Sequence, residues 1–147
     1  MDSIHSHHDQ VECMKCHSSF RYTPMGLLEG APFRTVQELF AWEKREVENA
    51  ARLDIPYTAA HATLITVSDH VETPIASGPM LMNRNELHCG DFCIPLTEIS
   101  DMAMHGRHAL VFTAGDQYYE LKPAGDNTLK FHLLYEAHKK YACQAER

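Results

Sequence analysis

What this sequence lacks narrows it before what it contains. No apolar run approaches the length of a membrane span, and the opening MDSIHSHHDQ has no apolar core of the kind a secretion signal needs. The expected compartment is therefore the cytoplasm, where the five cysteines would stay reduced. Cations are scarce: 13 Lys and Arg stand against 20 Asp and Glu, a formal charge of −7. A phosphate backbone draws its affinity from clustered cations, so no nucleic-acid partner is expected. Anionic lipid would be repelled for the same reason, which leaves only indirect membrane contact. Catalytic signatures are missing too, with no G-x-S-x-G, no glycine-rich phosphate loop and no H-E-x-x-H. His70, His105 and His108 stand near acids, but 11 His among 20 acids produce such neighbours by chance, and none is expected to act as a general base.

What is present is an ordinary globular composition, 44% hydrophobic and 22% charged, over 147 residues. That is one domain's worth, with room for a small appendage. One stretch carries chemistry. Cys13-Met14-Lys15-Cys16-His17 spells the C-x-x-C-H of haem attachment, half of a zinc site, or a redox dithiol. Haem attachment belongs beyond a membrane, and the β-rich remainder suits it poorly. A redox dithiol is expected beside a βαβ pattern, which the flanking residues do not form. For zinc, two cysteines two residues apart span one edge of a tetrahedron. Cys13 and Cys16 are thus the candidate metal ligands of an incomplete site, because no second C-x-x-C exists. Cys89 and Cys93 fall in a predicted hairpin and are expected to be buried or cross-strand neighbours rather than ligands.

The rest of the chain organises as follows. Residues 1–10 are predicted to be a mobile His-rich tail, and 11–30 a strand, the cysteine knuckle and a second strand, with Pro24 and Gly26 marking a turn. A helix over 34–53 opens with a capping box, Thr35 three residues before Glu38. Trp42, the only tryptophan, is expected as a packing anchor. From residue 60 the period changes to that of strands, with 68–79 predicted as a long connection. A final helix, capped by Asp126 or Asn127, carries Leu129, Leu133, Leu134, Ala137 and Tyr141. About seven short strands and a terminal amphipathic helix predict an α+β chain whose 60–143 segment is a bent antiparallel sheet of PH-like outline, plugged by its helix.

The order of knuckle, capped helix and bent sheet resembles the non-catalytic C-terminal region of clostridial proteins similar to 1-acyl-glycerol-3-phosphate acyltransferases. The stretches carrying the likeness are VECMKCHSSFRYTPMGLLEG, FRTVQELFAWEKREV, GPMLMNRNELHCGDFCIPLTEISDM and GRHALVFTAGDQYYELKP. The resemblance implies a zinc-ribbon-like knuckle, a linking helix and a PH-like domain, with zinc as cofactor and a protein partner or acyltransferase domain alongside, in phospholipid metabolism. It implies no catalysis by this chain: the family's His and Asp with four residues between them have no counterpart, His5 and Asp9 being one residue too close, and Glu29-Gly30-Ala31 is a poor echo of its Glu-Gly-Thr-Arg motif. The expected function is a non-enzymatic accessory module. The alternatives are a fragment of, or partner to, the active acyltransferase, or a thiol redox or haem protein using Cys13 and Cys16.

Overall fold

The computed structural model describes residues 4–14, 16–125 and 127–145. Two compact units form, Met1–Glu46 and Val47–Arg147, and the division falls inside a helix. The chain is mixed α+β.

In the first unit four strands, β1 (Ile4–His7), β2 (Gln10–Cys13), β3 (Ser19–Tyr22) and β4 (Leu28–Glu29), make an antiparallel meander in that order. The histidine-rich segment expected to be a tail is thus a strand: Ile4 pairs with Cys13 and His7 with Gln10. A tight turn makes this possible, since His8 takes a left-handed φ of 56°. Helix α1 (Val36–Arg52) starts as its capping box requires. Thr35 Oγ1 accepts the Glu38 N–H at 3.2 Å, while the Glu38 carboxylate accepts the Arg34 N–H at 2.8 Å, one residue earlier than a reciprocal box would place it. Trp42 is 41% exposed rather than buried, and its ring meets Phe33 at 5.5 Å.

In the second unit α1 ends at Arg52, and Asp54 just beyond it closes the helix. Asp54 adopts φ 54°, the Ile55 N–H reaches Ala50 O at 2.9 Å and the Asp54 N–H reaches Ala51 O at 3.2 Å, a Schellman stop. Arg84 completes the cap by donating its guanidinium to the carbonyls of Ala51 and Arg52 at 3.3 and 3.1 Å. Seven strands follow: β5 (Tyr57–Ser68), β6 (Val71–Met82), β7 (Glu86–Cys89), β8 (Phe92–Pro95), β9 (Ile99–His105), β10 (Ala109–Ala114) and β11 (Gln117–Pro123). They form one antiparallel sheet in the order β8-β7-β6-β5-β11-β10-β9, curled into a half-barrel.

The predicted connection over 68–79 is in fact a turn and most of a strand. Asp69 and His70 both take positive φ, 50° and 63°, which matches a two-residue hairpin turn, and β6 runs on from Val71. Pro74 survives there because the register shifts next to it, between Leu64 and Ile65 on the paired strand. A second shift lies between Ala59 and Ala62, and these bulges bend the two longest strands.

The core follows strand alternation: Leu64, Met80, Met82, Leu87, Leu110, Phe112 and Leu121 are almost fully buried. Helix α2 (Leu129–Ala145) packs against β9 and β5. Its buried stripe is Phe131, Leu134, Tyr135 and His138, spaced three, four and seven residues on from the first. The Leu129 N–H is accepted by Asn127 Oδ1 at 3.0 Å; the other expected cap, Asp126, lies outside the described residues. Tyr135 donates its hydroxyl to Ile99 O at 3.0 Å and ties the helix to β9.

His138 is only 4% exposed, and neither ring nitrogen has a hydrogen-bond partner among the described residues. Burial lowers its pKa below the ordinary 6.5; Asp54 pulls it up and Arg84 pushes it further down. Since the unfolded chain then binds the proton more readily, the native state loses stability as pH falls below the unfolded value. Denaturant midpoints measured at pH 7.5 and then at steps below 6.5 are expected to fall in the wild type. His138→Leu should show a shallower decline, and parallel declines would mean that the imidazole is solvated or charged in the native state.

Candidate metal centre

Among the described residues, Cys13 and Cys16 belong to no group of three donors close enough to share an ion. Cys13 closes β2, its N–H bonding Ser18 O at 2.8 Å, and the Cys13 carbonyl accepts the His17 N–H at 2.7 Å. Cys16 is exposed, with Sγ 3.1 Å from Ser18 Oγ. Among the described residues the one cluster of three donors close enough to share an ion lies elsewhere, at Glu86, His88 and Cys93.

The second cluster is a product of sheet register. Glu86 and His88 stand two apart on β7 and so face the same side. The turn at Gly90-Asp91 folds β8 back so that Cys93 lies directly opposite His88, while Cys89 lies opposite Phe92. Cys89 and Cys93, expected to be structural or cross-strand neighbours, therefore part company. Cys89 is buried, its Sγ 3.5 Å from Ala62 O, and burial raises its pKa. Cys93 points outward into the cluster.

The three side chains touch. His88 Nε2 lies 2.7 Å from Glu86 Oε1, Cys93 Sγ 3.3 Å from Glu86 Oε2, and Cys93 Sγ 3.6 Å from His88 Nε2. Hydrogen bonds from His88 first, then Cys93, hold the Glu86 carboxyl below its ordinary pKa. The Cys93 thiol is raised by desolvation and then by its bond to that carboxylate. Asn83 holds the strand's start in place, its Oδ1 accepting the Asn85 and Glu86 N–H groups at 2.8 and 3.0 Å. A carboxylate, an imidazole and a thiol on adjacent strands can hold a metal ion. The signal was present in the sequence as E-x-H followed by a tight turn and C, but only the pairing register brings Cys93 across to His88 instead of Cys89.

No family model matches the chain, and no curated protein matches its sequence. Nothing in these comparisons links it to clostridial acyltransferase C-terminal regions. No helix among the described residues is long and apolar enough to cross a membrane.

Proposed function

We propose that this chain is a non-enzymatic protein-binding module, with a PH-like half-barrel as its scaffold and the first unit as its docking element. The observation that carries this reading is the inverted burial of the first unit. Of its described residues only Leu28 belongs to the buried hydrophobic set, whereas Tyr22, Met25, Leu27, Val36, Phe40 and Trp42 are all more than 40% exposed. A segment of 46 residues with so little core is at the margin of independent stability, and a protein partner covering those side chains supplies the missing burial. Val36 and Phe40, four apart on α1, present one such face.

An acidic chain of net charge −7 suits a protein surface better than phosphate or anionic lipid. The β5–β6 turn, Asp69-His70, carries no cation that would grip a phosphate headgroup. The PH-like reading of the second unit is supported by its seven curled strands and the terminal helix packed on them. The favoured partner is an acyltransferase domain of phospholipid metabolism, on the sequence resemblance alone.

Trp42 makes the test direct, because it is the only tryptophan. Titrating the chain with a 1-acyl-glycerol-3-phosphate acyltransferase domain should shift its fluorescence to the blue as the indole leaves water, and Phe40→Ser should weaken the shift. The chain alone, given 1-acyl-glycerol-3-phosphate and an acyl thioester, should transfer no acyl group. Turnover by the isolated chain, or an unchanged Trp42 spectrum at saturating partner, would overturn the reading.

A further inference from the structure

We infer that Glu86, His88 and Cys93 form a zinc site with an open fourth position on the edge hairpin β7–β8. The inference stands apart from the docking reading, since it concerns the second unit alone.

Three observations converge on it. The first is distance. Zinc bonds of about 2.0–2.2 Å to nitrogen or oxygen and about 2.3 Å to sulfur, at tetrahedral angles, set donor separations of roughly 3.3–3.6 Å. Cys93 Sγ already stands 3.6 Å from His88 Nε2 and 3.3 Å from Glu86 Oε2. Glu86 meets its two partners through different oxygens, Oε1 to His88 at 2.7 Å and Oε2 to Cys93 at 3.3 Å, so its carboxylate must turn to present one oxygen to the ion. A small rotation of an exposed carboxylate does that without moving the strands.

The second is donor type. One thiolate, one imidazole and one carboxylate together suit a borderline ion such as Zn²⁺, whereas magnesium and calcium prefer all-oxygen sites. Binding replaces the Cys93 S–H bond by a sulfur–zinc bond and releases that proton to solvent. The imidazole coordinates as the neutral ring through Nε2.

The third is position. The cluster sits between β7 and β8, and β8 is an edge of the sheet, with the Glu86 and His88 side chains 41% and 38% exposed. Three protein ligands beside solvent leave the fourth tetrahedral position for water or for an incoming thiolate, imidazole or carboxylate. The backbone beneath is already ordered by the β7–β8 ladder and the Asn83 turn, so little conformational cost attends closure.

Cobalt(II) titration of the full chain, followed by zinc competition, tests this. Cys13→Ser/Cys16→Ser serves as the background, so that the knuckle cannot supply thiolate. One equivalent of cobalt should give a sulfur-to-metal charge-transfer band and visible bands of tetrahedral intensity, bleached by zinc. Adding Cys93→Ser should abolish the charge-transfer band, and His88→Ala should weaken zinc binding by about 10- to 100-fold or more. All three positions are solvent-accessible, and far-ultraviolet circular dichroism should show each variant folded. Absence of the band in the background protein, or its survival in Cys93→Ser, would overturn the inference and leave the cluster an ordinary hydrogen-bonded surface group.

Discussion

Phe131→Ala should cost about 3–5 kcal/mol, a large share of the roughly 5–15 kcal/mol that holds a domain of this size. Phe131 is 0% exposed in the first turn of α2, and it begins the stripe on which the helix lies against the sheet. Truncation removes a whole ring from a site walled by sheet and helix, which cannot collapse to fill the void. In urea the midpoint should drop sharply while the slope stays constant, because the same surface is exposed on unfolding. Tyr118→Ala, at a position 40% exposed, is the control and should change stability by about half a kcal/mol or less. A loss at Phe131 as small as that of the control would mean that α2 does not close the half-barrel in solution.

Gly90→Ala should be destabilising by about 3 kcal/mol or more, through two effects that a paired variant separates. Gly90 has φ +57°, and a Cβ there would lie 2.5 Å from Ser77 O and 3.1 Å from Ser77 C, both backbone atoms that cannot swing aside. Gly78 also faces it at short range, its own added Cβ falling 3.0 Å from Gly90 Cα. Gly115 is the comparison: its φ is +59°, but a Cβ there meets nothing within 4 Å. Gly115→Ala should therefore lose only the left-handed backbone cost, about 1–2 kcal/mol. The difference between the two variants measures how tightly β6 passes under the β7–β8 turn. Because that turn sets Cys93 opposite His88, Gly90→Ala should also disturb the three-donor cluster; equal losses at Gly90 and Gly115 would mean the approach relaxes freely.

Local chemistry was legible wherever it is decided by near neighbours. Thr35 and Glu38 announced the start of α1, the helical spacing around Leu133 and Leu134 announced α2, and the alternation near Leu110 and Phe112 announced strands. It failed where a rare backbone state intervenes. His8, Asp69 and His70 adopt positive φ without being glycine, so a tail and a long connection were expected where tight hairpins form. Pro74 lies inside that expected connection, yet the adjacent register shift accommodates it within β6. Trp42 was expected to be anchored by packing because of its size, but a large side chain specifies the area it could bury and not the partner that buries it.

The sequence by itself determined the two helices, the strand-rich character of the second unit, the acidic charge and the lack of recognised catalytic motifs, because each depends on residue type and near spacing. Tertiary structure alone decided which thiol joins a metal-competent group. Cys13 and Cys16 carry the recognisable spacing, but among the described residues Glu86, His88 and Cys93 are the three donors that converge, since coordination requires proximity in space and strand register supplies it here.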